Sequence, residues 1–123
     1  MPSPVAELIR RLLDEHRIVL FMKGSRFVPS CGYSAAMVEI LARAGADYHD
    51  VDVSTDRALC EGVEAYRGWP SFPQLFVTGE LVGGIDLVRE LERSGELGAV
   101  LARPAEPGAS AAGEAGEPGQ ASR

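Results

Sequence analysis

Of the two cysteines in this chain, Cys31 stands where a sulfur can do chemistry. It follows a five-residue apolar run, Ile18-Val19-Leu20-Phe21-Met22, and a polar loop carrying Gly24 and Pro29, and a helical pattern begins directly after it. A thiol at a strand–loop–helix junction meets the unpaired N–H groups and the positive dipole end of the helix, which favour thiolate over thiol. The alternative is a buried cysteine acting as a small hydrophobe. Polar flanks weigh against that, as does Lys23, which leaves the same strand toward the same end of the sheet. Lys23 is the single lysine in a chain with eleven arginines. An anion-binding role therefore suits it better than that of a solvated surface charge. Ser34 occupies the second thiol position of a C-x-x-C motif. No disulfide can close within the motif, so thiol exchange has to use an external thiol.

Other residues carry weaker signals. Cys60 reads as half-buried filler ahead of a resolving thiol, and Trp69 as core packing or a lid. Gly83-Gly84 either ends a strand or, with Asp86 at a helix start, makes a backbone anion site. His16 and His49 read as too isolated for metal ligands, and Asp50 and Asp52 as solvated strand positions ahead of an acid/base pair.

These residues need elements to hold them. Ser3-Pro4 is an N-cap with proline at the first helical position. Val5, Leu8, Ile9, Leu12 and Leu13 then recur at helical spacing, which predicts a helix over 4–16. The run 18–22 reads as a strand buried on both faces. Met37, Ile40, Leu41 and Ala44 form the apolar stripe of the helix after Cys31, with Gly45 at its C-terminus. A second strand is expected over 48–53. Ser54-Thr55-Asp56 then starts a third helix, with Leu59, Val63 and Tyr66 facing inward. Gln74-Leu75-Phe76-Val77 and Glu80-Leu81-Val82, joined by Thr78-Gly79, predict an antiparallel hairpin. Asp86 is expected to cap a helix carrying Leu87, Val88 and Leu91, and a short helical segment holds Leu97, Val100 and Leu101. The first two strands, linked through a helix, should be parallel. The expected architecture is α/β: a four-stranded mixed sheet flanked by helices on both faces.

Length and composition agree with one domain. The chain has 123 residues, 46% hydrophobic and 24% charged, enough for a single core. A net charge of −6 argues against nucleic acid, which needs a basic face. No apolar run approaches the roughly 20 residues of a membrane span. The start, Met1-Pro2-Ser3-Pro4-Val5, lacks the pattern of an export signal, so a cytoplasmic location is expected. From Pro104 onward six Ala, four Gly, three Pro and three Glu share twenty positions without a large apolar residue. The expected division is a domain over 1–103 and a disordered tail over 104–123.

With Phe21-Met22-Lys23-Gly24, Cys31-Gly32-Tyr33-Ser34, Trp69-Pro70-Ser71-Phe72-Pro73-Gln74-Leu75 and Gly83-Gly84-Ile85-Asp86 in place, the chain resembles the monothiol glutaredoxins of the CGFS type over roughly residues 4–101. The resemblance implies a thioredoxin fold and glutathione bound beside Cys31. It also implies a 2Fe–2S cluster shared by two protomers, each giving one cysteine and one glutathione thiolate. By that resemblance Lys23 holds the glutathione or cluster charge, and Cys31 is both reactive thiol and iron ligand. Phe72 offers its backbone to glutathione, Ile85 and Asp86 bind the γ-glutamyl end, and Pro73 is the family's cis-proline. Implied partners are a second copy through the cluster, iron–sulfur acceptor proteins and a BolA-like protein. The implied roles are cluster transfer and iron homeostasis or, alternatively, removal of glutathione from protein thiols. Two positions depart from the pattern. Tyr33 stands for the usual Phe, and Cys60 for an arginine expected to meet the glycyl carboxylate of glutathione. Arg57, one helical turn before Cys60, is the candidate to replace that arginine in part.

Overall fold

The computed structural model of the protein describes residues 3–104. The expected tail, apart from Pro104, lies outside the described residues. In chain order the elements are α1 (Pro4–Glu15), β1 (Ile18–Met22), α2 (Gly32–Arg43), β2 (His49–Asp52) and α3 (Arg57–Tyr66). They continue with β3 (Gln74–Val77), β4 (Glu80–Gly83), α4 (Ile85–Ser94) and α5 (Leu97–Leu101). The sheet runs β2-β1-β3-β4, with β1 parallel to β2 and antiparallel to β3, and β3 antiparallel to β4. This is the mixed sheet expected from the element order. None of the described helices is long and apolar enough to cross a membrane.

β1 is central because it has no polar face. All five of its residues are buried, and alternate side chains enter different layers. Ile18, Leu20 and Met22 pack with Met37, Ile40 and Leu41 of α2, Val88 of α4, and Leu97 and Leu101. Val19 and Phe21 pack with Ile9 and Leu13 of α1, Leu59 and Val63 of α3, and Phe76 of β3. Phe21 and Phe76 meet edge to face at 5.6 Å. Burying side chains of this size stabilises by about 1.5–3 kcal/mol each. One strand thus ties both helical layers together and delivers Lys23 and Cys31 at its end.

The helix and turn signals act as their chemistry predicts. The Ser3 hydroxyl accepts the Ala6 N–H at 3.0 Å and the Asp56 carboxylate accepts the Leu59 N–H at 3.1 Å. Gly45 adopts φ +68°, and Ala46 N–H returns to the Leu41 carbonyl at 3.0 Å, which closes α2. Thr78 and Gly79 both have positive φ, the backbone a two-residue hairpin turn requires.

The start of α4 differs from expectation. Gly84, not Asp86, is the N-cap, and Asp86 lies inside the first turn. Ile85 is buried and fixes the helix two residues earlier. Asp86 still sits favourably at the positive end of the helix dipole. Leu87 is 44% exposed instead of inward, lying against Gly83, where a Cβ would come within 2.8 Å of it. Ala44, expected in the α2 stripe, is exposed as the residue that ends that helix.

Candidate functional site

The strand register gathers the candidate residues at one end of the sheet. Met22 pairs with Asp52 on one side, and Phe21 pairs with Gln74 on the other. The segments continuing from there are the loop over 23–30, Cys31, and the Trp69–Pro73 stretch.

Cys31 is the N-cap of α2, with extended backbone (φ −153°, ψ 144°), and its side chain is half-buried. As a neutral thiol it makes no capping hydrogen bond. The surroundings instead favour its ionised form. The N–H of Ser34 lowers the pKa most, burial opposes it, and the Tyr33 N–H, the Ser34 hydroxyl and the Lys23 charge add to the lowering. The helix start expected to activate the sulfur does so through its N–H groups, and the lysine contributes least. Lys23 is exposed, which leaves its ammonium available to an external anion.

Ser34 has a part that the sequence did not disclose. It is fully buried, and its Oγ accepts the backbone N–H of Lys23 at 3.1 Å. The hydroxyl hydrogen is then free to donate to the Cys31 thiolate. The serine that replaces a second thiol thus joins the strand end to the sulfur. Its place at the third position of a helix whose N-cap is the cysteine is the signal that could have found it. Replacing Ser34 by Ala is expected to raise the Cys31 pKa partway to its usual value, because the N–H of residue 34 remains. The thiolate fraction at neutral pH falls accordingly, as ultraviolet titration of the thiolate will show. The stranded Lys23 N–H adds a destabilisation of about 1–3 kcal/mol.

The loop before Cys31 is a closed structure. Ser30 N–H bonds the Lys23 carbonyl at 3.0 Å, Gly24 bridges to Pro29, and Val28 N–H reaches the Ser25 hydroxyl at 3.0 Å. Asp50 and Asp52 are half-buried and anchor it, which corrects their reading as solvated positions. Asp52 Oδ1 accepts the Gly24 N–H at 3.0 Å and the Ser54 hydroxyl at 2.6 Å. Asp50 accepts the Arg26 N–H at 3.0 Å and its Nε–H at 3.1 Å. The Arg26 guanidinium lies 3.9 Å from the centre of the Tyr48 ring and also donates to the Tyr48 carbonyl. Burial pushes the Asp50 carboxyl upward, but the bonds from Arg26 outweigh it and hold the group below its ordinary value. Asp52 is held low first by the Ser54 hydroxyl.

The opposite wall is the stretch from Trp69 to Pro73. The Phe72–Pro73 peptide bond is cis, as the resemblance implied. Phe72 is half-buried against the α1/α3 core layer. The Trp69 indole leans on the Gly83-Gly84 turn, where a Cβ at Gly84 would stand 3.4 Å from both the indole nitrogen and the Pro73 carbonyl. At 38% exposure Trp69 is a wall and not core. Phe72, Ile85 and Asp86 thereby come to one side of the site. Ile85 is buried there and Asp86 exposed, so a ligand would meet the backbone of the first and the carboxylate of the second.

Four residues stand apart. Arg57, at the first position of α3, is exposed. Cys60 is half-buried in the same helix, where burial and then Glu64 push its thiol up while Lys23 opposes them. It therefore remains protonated where Cys31 ionises. His16 and His49 are not isolated as expected. Their rings stack in parallel at 3.9 Å beside a cleft of about 360 Å³. His49 pairs with Val19 at the start of β1, so this cleft lies toward the end of the sheet away from Cys31. Among the described residues no group of three or more His, Cys, Asp or Glu side chains is placed to hold a metal.

Comparison with known proteins agrees with this geometry. Residues 18–82 match the family model Glutaredoxin. The chain is 48% identical over 101 residues to a bifunctional monothiol glutaredoxin-S16, chloroplastic, of Arabidopsis thaliana, covering 80% of this chain but 34% of that protein. It is 42% identical over 101 residues to a probable monothiol glutaredoxin 2 of Rickettsia typhi, covering 82% of this chain and 91% of the relative. The solution structure of reduced poplar apo GrxS14 superposes with a TM-score of 0.69 at 37% identity, covering 77% and 87% of the two chains. With its thioredoxin-type sheet, its cis-proline wall and a lone thiol at the start of α2, the chain belongs to the glutaredoxin family, in its monothiol branch.

Proposed function

We propose that this protein binds glutathione beside Cys31 and that two copies hold a 2Fe–2S cluster between them as cargo for iron–sulfur acceptor proteins. This reading places it in cluster assembly and iron homeostasis in the cytoplasm, with a BolA-like protein as an alternative partner. The observation that carries it is the pairing of one ionisable sulfur with a buried serine where a second thiol would stand. The chain fits a cluster only as a donor of one thiolate, and its described residues offer no closed ligand set. Glutathione and a second copy complete the usual four ligands. In this arrangement the Lys23 ammonium faces the ligand's charge, and the Phe72 backbone holds its cysteine. The α4 start, with Ile85 N–H and the Asp86 carboxylate, receives the γ-glutamyl end. Anaerobic reconstitution with iron, sulfide and glutathione tests the reading. A brown dimer is expected. A colourless monomer at saturating glutathione would overturn the cluster assignment.

A second reading is supported by the lowered pKa of Cys31. The thiolate attacks the glutathione sulfur of a protein–glutathione mixed disulfide, forming a Cys31–glutathione disulfide and expelling the protein thiolate. A second glutathione thiolate then attacks that adduct, releasing oxidised glutathione and restoring Cys31. Turnover on a glutathionylated peptide without cluster uptake favours this reading over the first.

Both readings need the glycyl carboxylate of glutathione to find a cation although Cys60 replaces the family's arginine. Arg57, exposed one turn earlier, partly fills that role in this proposal. Arg57→Ala is expected to weaken glutathione binding several-fold, less than the loss of a desolvated charge-assisted bond, because the site is open to water. Calorimetric titration with glutathione measures this, and an unchanged affinity removes Arg57 from the site.

A further inference from the structure

Two polar side chains are buried among the described residues, Ser34 and Gln74. Ser34 is accounted for by the thiol. Gln74 begins β3, opposite Phe21 in the middle of the sheet, and is fully buried. Its amide nitrogen donates to the Trp69 carbonyl at 2.6 Å and to the Ser71 carbonyl at 3.1 Å. Its Oε1 is buried with no hydrogen-bond partner. An unsatisfied buried acceptor is unfavourable, and an apolar side chain of the same size would remove it. The compensating role of this amide lies in the two carbonyls it holds.

We propose that Gln74 is a positioning residue for the glutathione groove, fixing the Trp69–Phe72 wall to the central sheet; this rests on the glutathione-binding reading. Both hydrogens of one NH2 group are used, so two points of an otherwise exposed loop are tied to one rigid residue. From there the order propagates to the ligand side. The Trp69 indole lies on Gly84, the N-cap of α4, so fixing Trp69 also fixes the spacing between the Phe72 backbone and the start of α4. Without the amide, the carbonyls of Trp69 and Ser71 turn to water for partners, and the loop spends time away from Gly84. Glutathione affinity then falls in proportion to the fraction of molecules still competent to bind. The Cys31 thiolate, stabilised from α2 and β1, is untouched.

The test compares Gln74→Met with wild type in the full chain. Trp69 is the sole tryptophan, so quenching of its fluorescence by acrylamide reports the loop without any ligand. Quenching is expected to increase about twofold and glutathione affinity to fall roughly tenfold, while the rate of Cys31 alkylation by iodoacetamide stays the same. Gln74→Asn keeps an amide but is one methylene short of both carbonyls. It should behave likewise, and it serves if the Met variant does not fold. Lower thermal stability with unchanged quenching and unchanged affinity would make Gln74 merely structural and overturn the proposal. If wild type itself binds no glutathione, the binding reading fails, and the quenching result still decides whether Gln74 holds the wall.

Discussion

Replacing Cys31 by Ser is expected to abolish both cluster colour and glutathione adduct formation while leaving the fold as stable as wild type, or more so. The loss is complete because a serine hydroxyl stays protonated at neutral pH and is a poor ligand for iron, whereas the chemistry belongs to the thiolate. The stability result has a separate cause. Cys31 is the N-cap of α2 and makes no capping hydrogen bond. Serine is among the preferred N-cap residues, and its oxygen can accept an N–H from the first turn, worth about 0.5–2 kcal/mol relative to a non-capping side chain. Reconstitution monitored by visible absorption, mass spectrometry after exposure to oxidised glutathione, and urea denaturation read the three quantities. A brown Cys31→Ser dimer would show that another residue holds the iron. A large loss of stability would show that the sulfur itself packs the helix start.

Gly24→Ala is expected to produce the largest loss of stability among single-methyl changes near the site. Gly24 has φ +84°, a backbone that costs an L residue about 1–2 kcal/mol. A Cβ there would also stand 2.5 Å from both the Ser30 nitrogen and the Val28 carbonyl oxygen. Neither backbone atom can swing aside as a side chain can, and overpacking of this kind adds about 1–3 kcal/mol. The loop relieves the clash by opening, which breaks the bond between Ser30 N–H and the Lys23 carbonyl and releases the segment that leads into Cys31. Gly45→Ala is the control, because Gly45 has φ +68° but nothing within 4 Å of its would-be Cβ. Only the backbone contribution applies there. Urea midpoints for the two variants, together with iodoacetamide alkylation of Cys31, separate the effects. Equal destabilisation would mean that the loop yields without strain.

How much of this could be read in the sequence depends on the distance over which each feature is set. Caps, turns and periodicity are local, so Ser3, Asp56, Gly45 and Thr78-Gly79 carried their own signals. The buried run at 18–22 announced the central strand because only a two-sided core tolerates five apolar residues in succession. Cys31 was legible as an activated thiol for the same reason, since the helix that activates it begins at the next residue. The roles of Asp50 and Asp52 were not. Their partners, Arg26 and Gly24, are 24 and 28 residues away, and nothing within β2 distinguishes an anchoring carboxylate from a solvated one. The stack of His16 on His49 is hidden in the same way, since it exists only once α1 and β2 are packed. Asp86 misled for a different reason. An acidic residue near a helix start suits both the N-cap and the first turn, and the burial of Ile85 decided between them. Gln74 looked like one more strand residue until its two carbonyl partners were placed.

Arg26, Asp50 and Asp52 also do something for the sheet that has no connection with sulfur. β2 is a terminal strand, and such a strand offers unpaired backbone groups on which another chain can build. Here Arg26 occupies the carbonyl of Tyr48, just before the strand, and the two carboxylates along β2 are taken up by the loop folded back beside them. An incoming strand would have to displace Arg26 from the Tyr48 carbonyl before it could pair there. Arg26→Ala is therefore expected to leave an acceptor open at the border of the sheet, and turbidity on heating, compared with wild type, measures whether the variant self-associates more.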